Sequence, residues 1–119
     1  KTVKLIIESK ARNRGFASIF KLFNLMENIQ HQQNDKGGSF DYILNGQKLA
    51  EMAYIKAGDT KIIIDHTHVN ESLKGQGIGK RLQAELVAYV RANDIKVIPL
   101  CPFAKATFQK MPEWQDVLA

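Results

Sequence analysis

The sequence predicts an α+β domain with a mixed sheet: an antiparallel meander, then a strand–helix–strand unit, then short closing helices. Three observations carry this. Alternating apolar residues and tight-turn signals recur from Phe40 to Val69. A helical pattern begins at Ile78, with Ile78, Leu82, Leu86, Tyr89 and Val90 on one face. A compact apolar run, Ile95 to Leu100, follows that helix, so the crossover returns the chain parallel to the last meander strand.

The 119 residues suffice for one hydrophobic core and not for two. No apolar run approaches the ~20 residues of a membrane span. A single cysteine closes no internal disulfide and fits a reducing, cytoplasmic setting. The formal net charge of +5 suggests nucleic acid until it is placed along the chain. Residues 1–25 hold Lys1, Lys4, Lys10, Arg12, Arg14 and Lys21 against Glu8, which leaves eleven basic and eleven acidic side chains in residues 26–119. A neutral domain behind a basic extension gives no support to nucleic-acid binding by the domain.

Taken in order, Lys1 to Lys10 alternates imperfectly and reads as a short strand. Arg12 to Gln30 carries Phe16, Ile19, Phe20, Phe23, Met26 and Ile29 at helical spacing, as a helix packed on the domain or on a partner would. A basic amphipathic segment also resembles a mitochondrial transit peptide or a membrane-surface helix, but Glu8 and Glu27 weigh against both. Glu27 to Gly38 is polar and reads as the loop that leads into a domain. The division expected is therefore an upstream extension, 1–25, and a domain, 26–119, that folds without it. Phe40, Tyr42 and Leu44 start the meander, and Asn45-Gly46 gives the strongest short hairpin signal. Leu49, Met52, Tyr54 and Ile55 form the second strand, and Gly58-Asp59 turns the chain into the third, Lys61 to Val69. The long helix should stop near Asn93, a residue that tolerates the left-handed cap conformation. Pro102 and Pro112 each suit the first turn of a short helix.

The stretch that carries chemistry is Lys74-Gly75-Gln76-Gly77-Ile78-Gly79-Lys80, between the third strand and the long helix. A helix start offers unpaired N–H groups and the positive end of the dipole, and glycines let an anion approach them. Lys80 and Arg81 lie in the first helical turn, where cations oppose the dipole, a placement that makes sense if an anion completes the site. A P-loop would need Gly at position 74 and Ser or Thr after Lys80; Lys74 and Arg81 stand there. A dinucleotide fingerprint begun at Gly75 or Gly77 would need a third Gly where Lys80 or Leu82 stands.

Cys101 follows a strand and precedes Pro102, which puts it at a helix start that favours a reactive thiolate; a lone cysteine there is otherwise a small buried apolar residue. His66 and His68 share a strand face but have no further ligand pattern, so a metal is not expected, and a proton-carrying His is the stronger reading. His31 carries no argument.

The loop resembles the acetyl-CoA pyrophosphate loop of GNAT-type N-acetyltransferases, with Lys74 where that family has Arg or Gln. Together with His66-Thr67-x-Val69 and Pro99-Leu100-Cys101-Pro102-Phe103, it resembles the small YjdJ-type branch of that superfamily, over about Phe40 to Leu118. The resemblance implies a reduced GNAT-like fold with acetyl-CoA as co-substrate where the third strand and Ile95–Leu100 splay apart. Val69 would bond the pantetheine arm, and Lys74, Gly75, Gln76, Gly77, Ile78, Gly79 and Lys80 would hold the pyrophosphate. Cys101 would lie near the thioester. The activity expected is acetyl transfer to a small amine or peptide amine, with His66 as candidate base and Cys101 as the catalytic thiol that protonates the leaving sulfur or carries the acetyl group transiently. An acyl-CoA-binding module without turnover is the alternative, and a partner-binding module built on Arg12–Gln30 is a third.

Overall fold

The computed structural model describes residues 27–119. Strands β1 (Glu27–Gln33), β2 (Gly37–Leu44), β3 (Gln47–Lys56) and β4 (Lys61–Val69) form an antiparallel meander, and β5 (Lys96–Pro99) pairs parallel to β4. Helix α1 (Ile78–Ala92) makes the crossover and α2 (Pro102–Lys110) follows β5. Short 3₁₀ turns cover Glu71–Leu73 and Pro112–Val117. The mixed sheet expected from the sequence is present, with one strand more.

That strand is β1. Glu27 to Gly38 was expected as a loop, and Arg12 to Gln30 as one helix; instead Glu27–Gln33 pairs with β2 along its whole length, so the meander has four strands. Its sequence hides it, because Ile29 is its one aliphatic residue and His31 takes an apolar role on the buried face. The earlier part of the helical stripe and the Lys1–Lys10 strand lie outside the described residues.

Both helices cover one face of the sheet. Phe40, Tyr42, Met52, Tyr54, Ile62 and Ile64 meet Ile78, Leu82, Leu86 and Val90 of α1 and Ala104 and Phe108 of α2. Asn45 and Gly46 both take positive φ, 53° and 79°, as the tight β2–β3 hairpin requires. At the end of α1 it is Asp94, at φ 57°, that turns left-handed, while Asn93 stays at −109°. The register of β3 against β4 slips once: Ala53 faces His66 and Tyr54 faces Ile64, leaving Asp65 without a partner. One inserted residue exchanges the faces of everything after it. Ile62 and Ile64 point into the core before the bulge; after it Thr67 faces the buried Met52.

His31 stacks on Phe40 with ring centroids 4.1 Å apart, and its Nε2 lies 2.7 Å from the Tyr54 hydroxyl. Burial pushes the Tyr54 phenol up to about 12, so it remains a donor and His31 accepts. Burial also holds the His31 imidazole below its ordinary value, partly offset by Asp41. The unfolded chain then takes up this proton at higher pH than the folded one. Stability from this group is complete above about pH 6.5 and falls as pH drops below it, until folded His31 is itself protonated. Melting curves at pH 7 and pH 5 should show a smaller acid loss in His31→Gln than in the parent; equal losses would remove His31 as the cause.

Candidate functional site

Strand β4 runs on past β5, paired only with β3 as far as Val69. Ile64 pairs with Pro99, the Leu100 and Cys101 N–H groups both donate to the Ile64 carbonyl (3.2 and 3.0 Å), and β5 then leaves the sheet. The gap opens into a cleft of about 710 Å³. Thr67, His68 and Val69 of β4 form one wall, and Phe103, Thr107, Lys110 and Met111 from α2 and its end form another. Lys74, Gly75, Gly77, Ile78, Gly79 and Lys80 close it from the loop side.

The loop is built as an anion cradle would be. Gly75 and Gly77 have φ of 82° and 73°, the left-handed region that a side chain disfavours. The first helical bond of α1 runs from the Arg81 N–H to the Gly77 carbonyl (3.1 Å). The N–H groups of Ile78, Gly79 and Lys80 precede it and have no acceptor within the helix. Gly79 serves packing: a Cβ there would sit 2.6 Å from Phe103 Cζ, so the ring of α2 closes directly on the first turn of α1. Lys74, Lys80 and Lys110 bring positive charge to the cleft, and among the described residues no carboxylate lines it.

Not every residue of the motif faces inward. The Gln76 side chain donates to the Ser72 carbonyl (3.4 Å) and its N–H to that of Leu73, so it folds back on the loop and is absent from the cleft wall. Lys74 pairs with Glu71 at 3.1 Å, both exposed, an interaction worth a few tenths of a kcal/mol. Arg81 needs no anion to explain it. It pairs with Glu27 and lies 5.5 Å over the Tyr42 ring, and Tyr42 donates to the same carboxylate. The cation that opposes the dipole of α1 is thus held by β1, which the sequence hid.

Cys101 occupies the N-cap of α2, yet its sulfur is buried, with the residue 4% exposed. The thiol donates to Thr67 Oγ1 at 3.3 Å, and Thr67, not Cys101, lines the cleft. His66 lies outside the cleft wall. Its Nε2 meets Glu51 Oε2 at 2.9 Å and its Nδ1 meets Asp65 Oδ2 at 3.2 Å, and these carboxylates raise its pKa, Glu51 foremost. Glu51 in turn pairs with Lys48, which also reaches the buried Asp41 at 3.4 Å. His68, its neighbour on the strand, does line the cleft. Sequence reasoning named Thr67 and Phe103 within its motifs without giving either a role, and passed over Lys110. The bulge at Asp65 that sets Thr67 inward leaves no pattern in the sequence. Among the described residues, no group of three or more His, Cys, Asp and Glu side chains could hold a metal ion, and no helix is long and apolar enough to cross a membrane.

Comparison with known proteins agrees with this geometry. The family model for GCN5-related N-acetyl-transferase matches residues 39–117. The solution structure of a GCN5-like candidate N-acetyltransferase from Staphylococcus aureus is similar at 35% identity and a TM-score of 0.60, over 77% of this chain and 89% of that one. Two crystal structures share the fold at lower identity. The ribosomal-protein-alanine N-acetyltransferase of Brucella melitensis biovar Abortus 2308 has a TM-score of 0.56 at 15% identity, over 66% of this chain and 65% of that one. The ribosomal-protein-S18-alanine N-acetyltransferase of Escherichia coli has 0.56 at 17%, over 66% and 54%. No curated protein sequence matches. With the matched segment running from β2 through β4, the glycine loop and both helices, the chain belongs to the GCN5-related N-acetyltransferase family and is by class an acetyltransferase.

Proposed function

We propose that the chain transfers acetyl from acetyl-CoA to the amine of a small molecule or peptide, within the small YjdJ-type branch of its family. One observation carries the reading most: two left-handed glycines and three free N–H groups face a lysine-lined cleft that continues along an unpaired strand edge. The residues fit the co-substrate. The N–H groups of Ile78, Gly79 and Lys80, with the Lys74 and Lys80 ammonium groups, would bind a pyrophosphate. Val69, beyond the reach of β5, has backbone groups available for the pantetheine amides. When bound, acetyl-CoA supplies an activated acyl carbon. The protein's part is to orient it, exclude water with Phe103 and Met111, and manage protons near Thr67 and Cys101.

His66 is held by two carboxylates away from the cleft wall, so it acts as a base only if the β4 edge rearranges. Together with the burial of Cys101, this favours a second reading, an acyl-CoA-binding module without turnover. Release of free CoA thiol from acetyl-CoA over a panel of small amines, polyamines and peptide N-termini separates the two. Thiol release that depends on an amine supports transfer, whereas tight binding with none supports the module. Residues 26–119 should suffice for either: a chain begun at Met26 keeps β1 and the Glu27–Arg81 pair, and should melt cooperatively and gain melting temperature with CoA. A molten product would place residues 1–25 in the core.

A further inference from the structure

We infer that Thr67, backed by the Cys101 thiol, is the group that presents a proton to the sulfur end of the cleft; this rests on the acetyl-CoA reading above. Cys101 cannot meet a ligand directly, because it is buried and absent from the cleft wall. Thr67 does line the wall, and the Cys101 S–H donates to its Oγ1 at 3.3 Å. With that lone pair engaged from behind, the Thr67 hydroxyl keeps its own proton for a partner on the other side, which is the cleft. Both groups are fixed. The Cys101 N–H bonds to the Ile64 carbonyl, and Thr67 is set by the Asp65 bulge opposite Met52.

The proton path balances. As the amine nitrogen bonds to the acyl carbon, the carbon–sulfur bond breaks and its electron pair stays on the departing sulfur. Thr67 Oγ1 gives its proton to that sulfur while taking the Cys101 Sγ proton, so the negative charge ends on Cys101. The start of α2, whose first turn follows directly, lies beside that charge. The amine's own proton passes to water and restores the thiol. Thr67 is thus the catalytic residue and Cys101 the positioning and proton-supplying residue behind it.

The test compares Thr67→Val, which keeps shape but loses the hydroxyl, with Thr67→Ser, which keeps the hydroxyl. Calorimetry comes first: wild type that fails to bind CoA sinks the acetyl-CoA reading itself, independently of Thr67. Given binding, Thr67→Val should bind CoA within about threefold of wild type yet release thiol at least tenfold more slowly, with Thr67→Ser restoring most of the rate. Cys101→Ala should lose a similar factor, and the double variant little more than either single one, as for groups acting in series. A readout that needs no turnover, and that burial does not block, is the infrared S–H stretching band of Cys101, the one cysteine of the chain, in the absence of ligand. It should move in Thr67→Val and return in Thr67→Ser. An unchanged S–H band, undiminished thiol release by Thr67→Val, or fully additive losses would each overturn the relay.

Discussion

Gly77→Asp is expected to weaken CoA binding at least about 100-fold, equivalent to ~2.7 kcal/mol. Gly77 sits at φ 73°, where a side-chain-bearing residue carries a cost of roughly 1–2 kcal/mol. That cost falls on folding and shows in the melting temperature. The larger effect is on binding, because no protein atom lies within 4 Å of the position a Cβ would take. A carboxylate there would project beside the free N–H groups and repel a phosphate. Gly77→Asn separates the two effects: asparagine tolerates the left-handed region and is neutral, so it should lose only about tenfold. Calorimetric titration of both variants checks this. Equal losses would point to backbone strain alone, and no loss in either would put the anion elsewhere.

Phe108→Ala is expected to cost about 3–5 kcal/mol of stability, a large part of the ~5–15 kcal/mol typical of a domain. Phe108 is 2% exposed and packs edge-on against Trp114, with ring centroids 6.4 Å apart. Its carbonyl accepts from Gln115 Nε2 at 3.1 Å, which ties α2 to the closing turn. Because α2 also carries Phe103, Thr107 and Lys110, loosening it should weaken CoA binding as well as folding. Denaturant unfolding with and without CoA measures both; a loss below about 1 kcal/mol would mean that α2 is held by other contacts.

Most of the fold was legible because its signals are local. The Asn45-Gly46 turn, the Ile62-Ile63-Ile64 run, the helical face from Ile78 to Val90 and the prolines at 102 and 112 each fix one element with little help from the rest. What stayed hidden depends on partners distant in sequence. Strand β1 is polar because His31 and Glu27 find Phe40, Tyr54 and Arg81 across the structure. The same concealment made Arg81 look like an anion ligand. The candidate site divides in the same way. Its glycine loop could be read from spacing alone, and seven of the eight residues expected to hold the co-substrate line the cleft, all but Gln76. The chemistry beside it could not. The unpaired Asp65 shifts β4 by one residue, turning Thr67 toward the cleft and leaving His66 against Glu51 and Asp65. A bulge is set by pairing with β3, and no residue in β4 announces it.

The central claim is that the cleft between the β4 edge that β5 leaves open, the glycine loop and α2 holds CoA. Titrating CoA into the protein while following backbone amide resonances and their hydrogen exchange tests it most directly. The expected result is that amides from Gly75 to Lys80 and from Thr67 to Val69 shift together, with slowed exchange at Ile78, Gly79 and Lys80. Shifts confined to the opposite sheet face around Glu51 and His66, or none at saturating CoA, would contradict it.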